Sequence, residues 1–389
     1  MGRYLRTLRD ALRKGDLVLL LLCVVTTAYG CLVISSAANT MGSVRYVLIH
    51  IVAALLGILL YVIMSSVDAE FFSEHRMSLV IFNTFLLLLL IPFGTDNGSG
   101  NRSWLNFPLL PVDIQPAEIC KITYILIMAS VMGANQNRIS SIPSVLQMVF
   151  HLGILVGLNM VLSGDAGVSL IFVFVFIGMA YSGGVSMLWF AVGGGGLAVL
   201  LPFIYTYVMD PYQQLRIQVL FDPELDPLGT SARYHTMRSL RSLTGGGMTG
   251  QGLFNGNRTQ TPEALYAQHT DYIFSAIGEE LGFLGCLLAI TLLVLIIARC
   301  IWVGNRSQDY MRRLICYGAA SALIFQIIVN VGMCIGVMPV IGLTLPFISY
   351  GGSSLVSLYA MLGLVSGVYA RPAPASHERY IRPPLPSFK

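Results

Sequence analysis

The chain of 389 residues is 55% hydrophobic and only 11% charged, outside the range of soluble domains and inside that of polytopic membrane proteins. Its net charge of +4, scattered over membrane-flanking segments and one long loop, offers nucleic acid no binding surface. The seven cysteines all lie in apolar runs without metal-ligand or disulfide-framework spacing, and read as small core residues.

Residues 1–16 carry Arg3, Arg6, Arg9, Arg13 and Lys14 ahead of an apolar run over about 17–38. That run is long enough to span a bilayer and too long for the core of a signal peptide, so it reads as an uncleaved first helix. Further runs follow at about 46–66, 77–94, 114–132, 146–162, 167–183, 187–208, 273–302, 314–334 and 353–370. The expected fold is therefore an all-α integral membrane protein of ten transmembrane helices, with a large extracytoplasmic loop, 209–271, between the seventh and eighth. The membrane domain covers 17–370, followed by a Pro-rich tail, 371–389.

Placing both termini in the cytoplasm gathers Arg76, Arg138, Arg299, Arg306, Arg312, Arg313, Arg371, Arg379, Arg382 and Lys389 on one side. Only Arg45, Arg102 and Lys121 then fall on short segments of the opposite side, as the positive-inside rule requires. Residues 94–113, the hairpin tip at Asp165, the long loop and residues 339–354 face outward in this orientation. No fixed-period repeat and no matched pair of broken helices marks an inverted-repeat transporter.

Within the long loop, residues 211–221 put Tyr212, Leu215, Val219 and Leu220 on one helical face, as in a helix lying on the bilayer surface. The Asp222-Pro223 and Asp226-Pro227 pairs predict a turn. A second amphipathic piece sets Tyr234, Met237 and Leu240 against Arg233, Arg238 and Arg241, which either attract anionic headgroups or help to hold a lipid pyrophosphate. The glycines at 245–247, 250 and 252 read as flexible punctuation, since no helix start after them fits a phosphate-binding loop.

Three polar groups carry candidate chemistry. Asp271, with His269, stands where the loop re-enters the membrane, and is either a helix cap or a catalytic carboxylate. Glu118 and Lys121, three residues apart, share a helical face beside Gln115 and Arg102. They either neutralise one another or face a cavity, where Lys121 becomes a cation for a bound phosphate. Residues 342–355 break an apolar stretch with Pro346, paired glycines and Ser349, Ser353 and Ser354. Such backbone survives at membrane depth only when buried in protein or lining a wet cavity, and the helix start at Ser353 suits an anion.

These blocks together resemble the SEDS family (shape, elongation, division and sporulation), the ten-helix polymerases that include RodA, FtsW and SpoVE. The resemblance rests on Arg102 with Trp104, Gln115-Pro116-x-Glu118-x-x-Lys121, Tyr212-Gln213-x-x-Arg216-Ile217, Asp222-Pro223 with Asp226-Pro227, Gly250-x-Gly252, Thr270-Asp271-x-Ile273-Phe274, Glu279-Glu280-Leu281-Gly282 and Gly342 through Ser354. It implies a peptidoglycan glycosyltransferase of the bacterial cytoplasmic membrane that joins lipid II into glycan strands at the outer face, from an undecaprenyl-pyrophosphate-linked donor. Asp271 would be the general base of an inverting transfer. Lys121, Arg102 and Arg216 would stabilise the leaving pyrophosphate, with Glu118, Gln115, Asp165, His269, Ser349, Ser353 and Ser354 as further substrate contacts. A divalent cation, Mg or Mn, is a candidate to share that task, its ligands unknown. A class B penicillin-binding protein is the implied partner. The competing readings are a lipid II flippase and a non-catalytic scaffold of the cell-wall machinery. Against the flippase, Asp271, Lys121, Arg102 and Asp165 gather at one surface instead of marking a path across the bilayer.

Overall fold

A computed structural model describes residues 14–96, 101–106, 113–207, 209–262, 264–265 and 267–371. The arginines of the N-terminal tail up to Arg13 and the Pro-rich tail beyond Arg371 lie outside the described residues. The helices, in chain order, are α1 Leu17–Ala37, α2 Ser43–Ser66, α3 Ala69–Glu74, α4 Arg76–Leu88, α5 Leu90–Phe93, α6 Pro116–Ala134, α7 Ile142–Leu162, α8 Ala166–Ser182 and α9 Met187–Tyr207. After them come α10 Pro211–Phe221, α11 Tyr234–Gly245, α12 Ile273–Arg306, α13 Tyr310–Cys334 and α14 Gly352–Ala370. Among the described residues nine helical segments, α4 and α5 counted as one, are long and apolar enough to cross a membrane. Shorter by a residue than the least of these, α8 is also apolar. All ten apolar runs read from the sequence fall on these helices. A two-residue ribbon, β1 Gly94–Thr95 against β2 Trp104–Leu105, closes the stretch between α5 and α6.

The centre of the bundle is α14, whose closest neighbour is α2. Small residues allow the approach, as is usual where lipid removes the hydrophobic drive between helices. A Cβ on Gly363 would come within 2.6 Å of the Tyr61 carbonyl, and one on Gly57 within 2.7 Å of the Tyr359 ring. The other deeply buried helix is α6, whereas no residue of α9 is buried at all.

At one end Asp16 ties four helices together. Its carboxylate caps α1 through the Leu19 N–H at 3.1 Å and accepts from Arg299 of α12 at 2.8 and 3.0 Å. Its backbone N–H donates to Ser366 of α14, and its carbonyl accepts from the Tyr61 hydroxyl of α2. The guanidinium of Arg299 in turn lies 4.1 Å over the Trp302 ring.

At the other end α12 is broken at Gly282, whose φ of 66° and ψ of −163° belong to no helix. The freed backbone groups are taken up by the glycine loop. The N–H groups of Gln251 and Gly252 donate to the carbonyls of Glu279 and Glu280, and those of Phe283 and Leu284 donate to Gly247 and Met248. A Cβ on Gly250 would stand 2.2 Å from the Glu280 carbonyl oxygen. The reading of these glycines as flexible punctuation is therefore overturned: they allow one backbone to lie directly on another. Glu279 completes the seam by accepting the N–H groups of Arg258 and Thr259 at 2.8 and 3.1 Å.

Both helices expected in the long loop form, as α10 and α11. In α11 Tyr234, Met237 and Leu240 are half-buried, Ser239 and Ser242 are buried, and the Ser239 hydroxyl lies 2.7 Å from the Cys334 carbonyl and 2.5 Å from the Ser275 hydroxyl. In α10 Val219 is buried but Tyr212 is exposed, beneath the Arg216 guanidinium at 4.6 Å. The Asp-Pro stretch does turn, and the Asp226 carboxylate accepts N–H groups from Thr230, Ser231 and Arg233, each at 3.0 Å.

Because Asp16 is only 1% exposed, Asp16→Ala leaves Arg299 without its carboxylate and α1 without its cap. We expect a loss of about 2–3 kcal/mol in stability, read by SDS titration of the purified protein.

Candidate active site

The N-termini of α6, α8 and α14 meet the start of α12 at the end of the bundle that carries the glycine loop. Gln115, just before α6, gives its backbone N–H to the Ser353 hydroxyl of α14 at 3.1 Å and its side-chain amide to Asp165 at 3.4 Å. Asp165 caps α8 by accepting the Val168 N–H at 3.0 Å. One turn into α6, Lys121 and Glu118 form an ion pair of 2.8 Å with both side chains buried. Beyond each other, the Lys121 ammonium and the paired Glu118 oxygen have no hydrogen-bond partner among the described residues. Lys121 is thus 1% exposed and already neutralised, which is the first of the two sequence readings.

Asp271 lies opposite the broken segment between α13 and α14. A Cβ placed on Gly342 would stand 3.6 Å from its Oδ2, so the missing side chain at 342 leaves open the space in front of the carboxylate. The capping reading of Asp271 is overturned, since the residue at the cap of α12 is Tyr272 and no side chain caps that helix. Among the described residues the structure gives the Asp271 carboxylate no hydrogen bond. Burial, and then the charge of Asp165, push its pKa up to about 6. Burial likewise raises Asp165, against the N–H groups of Val168 and Gly167. The charge of Asp165 acts on Asp271 and that of Glu118 on Asp165, so the three acids stand at the same end of the bundle, the acidic recess, without closing on a common centre.

The remaining candidates fall around this recess with less direct roles. His269 is packed between Tyr46 and Tyr350, at 4.8 and 5.8 Å between ring centroids, and desolvation lowers its pKa, favouring the neutral ring. Ser349 is engaged with the backbone, donating to the Thr270 carbonyl at 2.6 Å and accepting the Leu345 N–H at 2.8 Å. Ser354 is buried near the start of α14. Arg102 is exposed and reaches the Gly94 carbonyl at 3.4 Å. Arg216 donates to the Val340 carbonyl at 3.1 Å and lines, with Arg233, Thr236 and Met338, a separate cavity of about 90 Å³ between α10, α11 and residues 336–340. Neither arginine is joined to the acidic recess by a hydrogen bond. Among the described residues no three His, Cys, Asp or Glu side chains gather closely enough to hold a metal ion, so these residues do not by themselves make the divalent-cation site left open above.

Sequence reasoning passed over two buried asparagines. Asn159 of α7 donates to the Asp165 carbonyl and to Ser169, both at 2.9 Å, and so shapes the hairpin tip. Asn330 of α13 reaches the backbone of Asp271 at 2.8 Å. A polar residue in the middle of an apolar run was the available signal for both.

The family model of FtsW, RodA and SpoVE, described as cell cycle protein, matches residues 16–372. The chain is 31% identical to the peptidoglycan glycosyltransferase MrdB of Escherichia coli K12, over 91% of this chain and 93% of that protein. It is 32% identical to a probable peptidoglycan glycosyltransferase FtsW of Thiomicrospira cyclica, over 90% of each. Among solved structures it is similar to a chain of a peptidoglycan synthase complex described as coordinating polymerization and crosslinking, with a TM-score of 0.77 at 29% identity, over 91% of this chain and 97% of that one. It is also similar to the rod shape determining protein RodA of Thermus thermophilus, with a TM-score of 0.68 at 26% identity, over 93% of this chain and 98% of that one.

Proposed function

Since this chain belongs to the FtsW/RodA/SpoVE family of cell cycle proteins, we propose that it is a peptidoglycan glycosyltransferase whose transfer step runs through Asp271. The substrate is lipid II, and the reaction takes place at the outer face of the bacterial cytoplasmic membrane with both termini of the chain inside. The acceptor sugar's 4-hydroxyl loses its proton to the Asp271 carboxylate as its oxygen attacks the anomeric carbon of the lipid-linked donor. The bond from that carbon to the pyrophosphate breaks, with inversion, and the pyrophosphate leaves on its lipid. Arg102 and Arg216 supply positive charge to the leaving group. Lys121 lies deeper and acts through Glu118, keeping the start of α6 in place. A class B penicillin-binding protein then crosslinks the strands, in keeping with the synthase complex to which the chain is similar.

One observation carries this reading: Asp271 is a half-buried carboxylate with no hydrogen bond of its own, facing open space, with its pKa pushed up to about 6. A base is most effective when its pKa lies near the working pH, because it is then both ionised and basic enough to take the proton. Burial first, and the charge of Asp165 after it, keep that pKa high.

Lipid II polymerisation by the purified protein with its partner transpeptidase tests the assignment. Asp271→Asn should reduce the rate about a hundredfold or more, the usual worth of a general base. Undiminished polymer would remove Asp271 from the mechanism. Since the base must be ionised, the rate should fall as the pH drops through about 6, well above the ordinary carboxylate range. Replacing Asp165 by Asn removes one charge that raises the pKa of Asp271. The acid limb of the same profile should then move to lower pH, and an unmoved limb would separate the two residues.

A further inference from the structure

Three successive carbonyls at the end of the long loop are each held from the far side of the recess. The His269 carbonyl accepts the Tyr350 N–H at 2.9 Å, and the Thr270 carbonyl accepts the Ser349 hydroxyl at 2.6 Å. The Asp271 carbonyl accepts the Asn330 amide at 2.8 Å, with the Cys334 thiol one turn later at 3.8 Å. Asn330 does more than its neighbours in this row. Its other amide hydrogen goes to the Leu343 carbonyl at 2.6 Å, so a single nitrogen spans from the residue carrying the carboxylate to the residue next to Gly342.

The orientation of this amide is forced. An Asn side chain has two hydrogens on nitrogen, and both are used on carbonyl oxygens. Turning the amide over would set its oxygen against those same two oxygens. Asn330 is fully buried, and its own oxygen has no hydrogen-bond partner. A buried amide with one end unsatisfied is costly, and apolar residues of α13 surround it on the helix, so packing alone gives no reason for it here.

We propose that Asn330 is a positioning residue for glycosyl transfer: by bridging the backbones of Asp271 and Leu343 it sets the distance between the Asp271 carboxylate and the open space at Gly342 where the acceptor hydroxyl must sit. The inference rests on the glycosyltransferase reading above. Asn330 touches no substrate atom and acts through Asp271 alone. A carboxylate on an otherwise irregular backbone would wander without it, and displacement of a reacting group by about 1 Å can reduce a rate about a hundredfold.

The test uses the full chain with its partner transpeptidase, and takes kcat and KM from lipid II titrations per folded molecule, with folding followed by thermal unfolding in detergent. Asn330→Ala removes both donors, and Asn330→Asp keeps the volume while removing the amide nitrogen. Both variants should lose kcat by roughly thirty- to a hundredfold while KM stays within about twofold, since ground-state contacts to the lipid are untouched. Hydrogen exchange at the amides of residues 270–272 should rise in the same variants. Either variant with wild-type kcat per folded molecule, or a loss confined to KM, would overturn the proposal. A wild-type protein that makes no polymer, or an active Asp271→Asn variant, would instead overturn the reading on which it rests.

Discussion

Hydrocarbon offers no hydrogen bonds to the backbone, so each place where a helix of this bundle is interrupted has to be matched by another segment that supplies the missing partners. Two interruptions are repaired by segments of the long loop. The first is the break of α12 at Gly282, which receives the glycine loop, N–H to carbonyl in both directions. The second is the stretch between α13 and α14, held through Asn330, Ser349 and the Tyr350 N–H to the carbonyls of residues 269–271. Everything that converges on the acidic recess does so because these two repairs share the start of α12. The long loop is therefore not an appendage on the bundle. It is part of the backbone accounting that allows α12 and α14 to begin where they do.

Charge is handled differently at the two ends. Asp16 accepts from donors on α1, α2 and α12 and gives its own N–H to Ser366 of α14, and its partner Arg299 is partly exposed and stacked on Trp302, so the pair is well served and holds the helices together. Among the described residues the Lys121 ammonium and the Glu118 oxygen paired with it have only each other, at 2.8 Å inside α6. Bringing two charges out of water is repaid poorly by one contact, so such a pair is weak evidence for stability and is better understood by where it stands. It stands one turn below Gln115 and Asp165, which hold the recess together. Of these groups Asp165 is the one whose charge acts on Asp271, adding to burial in making protonation easier and the carboxylate a stronger base.

Much of this architecture was legible in the chain. Apolar runs of bilayer length reported every long helix, because a spanning segment has to satisfy its backbone internally and present apolar side chains to lipid. The residues of the recess, Gln115, Glu118, Asp165 and Asp271, were picked out as polar residues at the ends of such runs. What failed was local inference where two backbones touch. Glycines that fit against α12 look in sequence like those of a loose linker, since both lack a side chain and only the contact partner tells them apart. In α11 hydrophobicity ranked Tyr234, Met237 and Leu240 above serine, and so could not show that Ser239, whose one hydroxyl bonds to Ser275 and the Cys334 carbonyl, is buried more deeply than any of them.

By itself the sequence determined the all-α membrane class, the helix spans and the residue types able to do acid–base chemistry, since these follow from composition and from spacing along one chain. It left Asp271 open between cap and catalyst, and Lys121 open between neutralised partner and free cation. Only the tertiary structure took the cap reading from Asp271 and showed Lys121 paired with Glu118. Whether a carboxylate finds an N–H or stands alone, and whether an ammonium meets a neighbour or a cavity, depends on contacts between residues far apart in sequence. In this fold those contacts are set by where the interrupted helices close on one another.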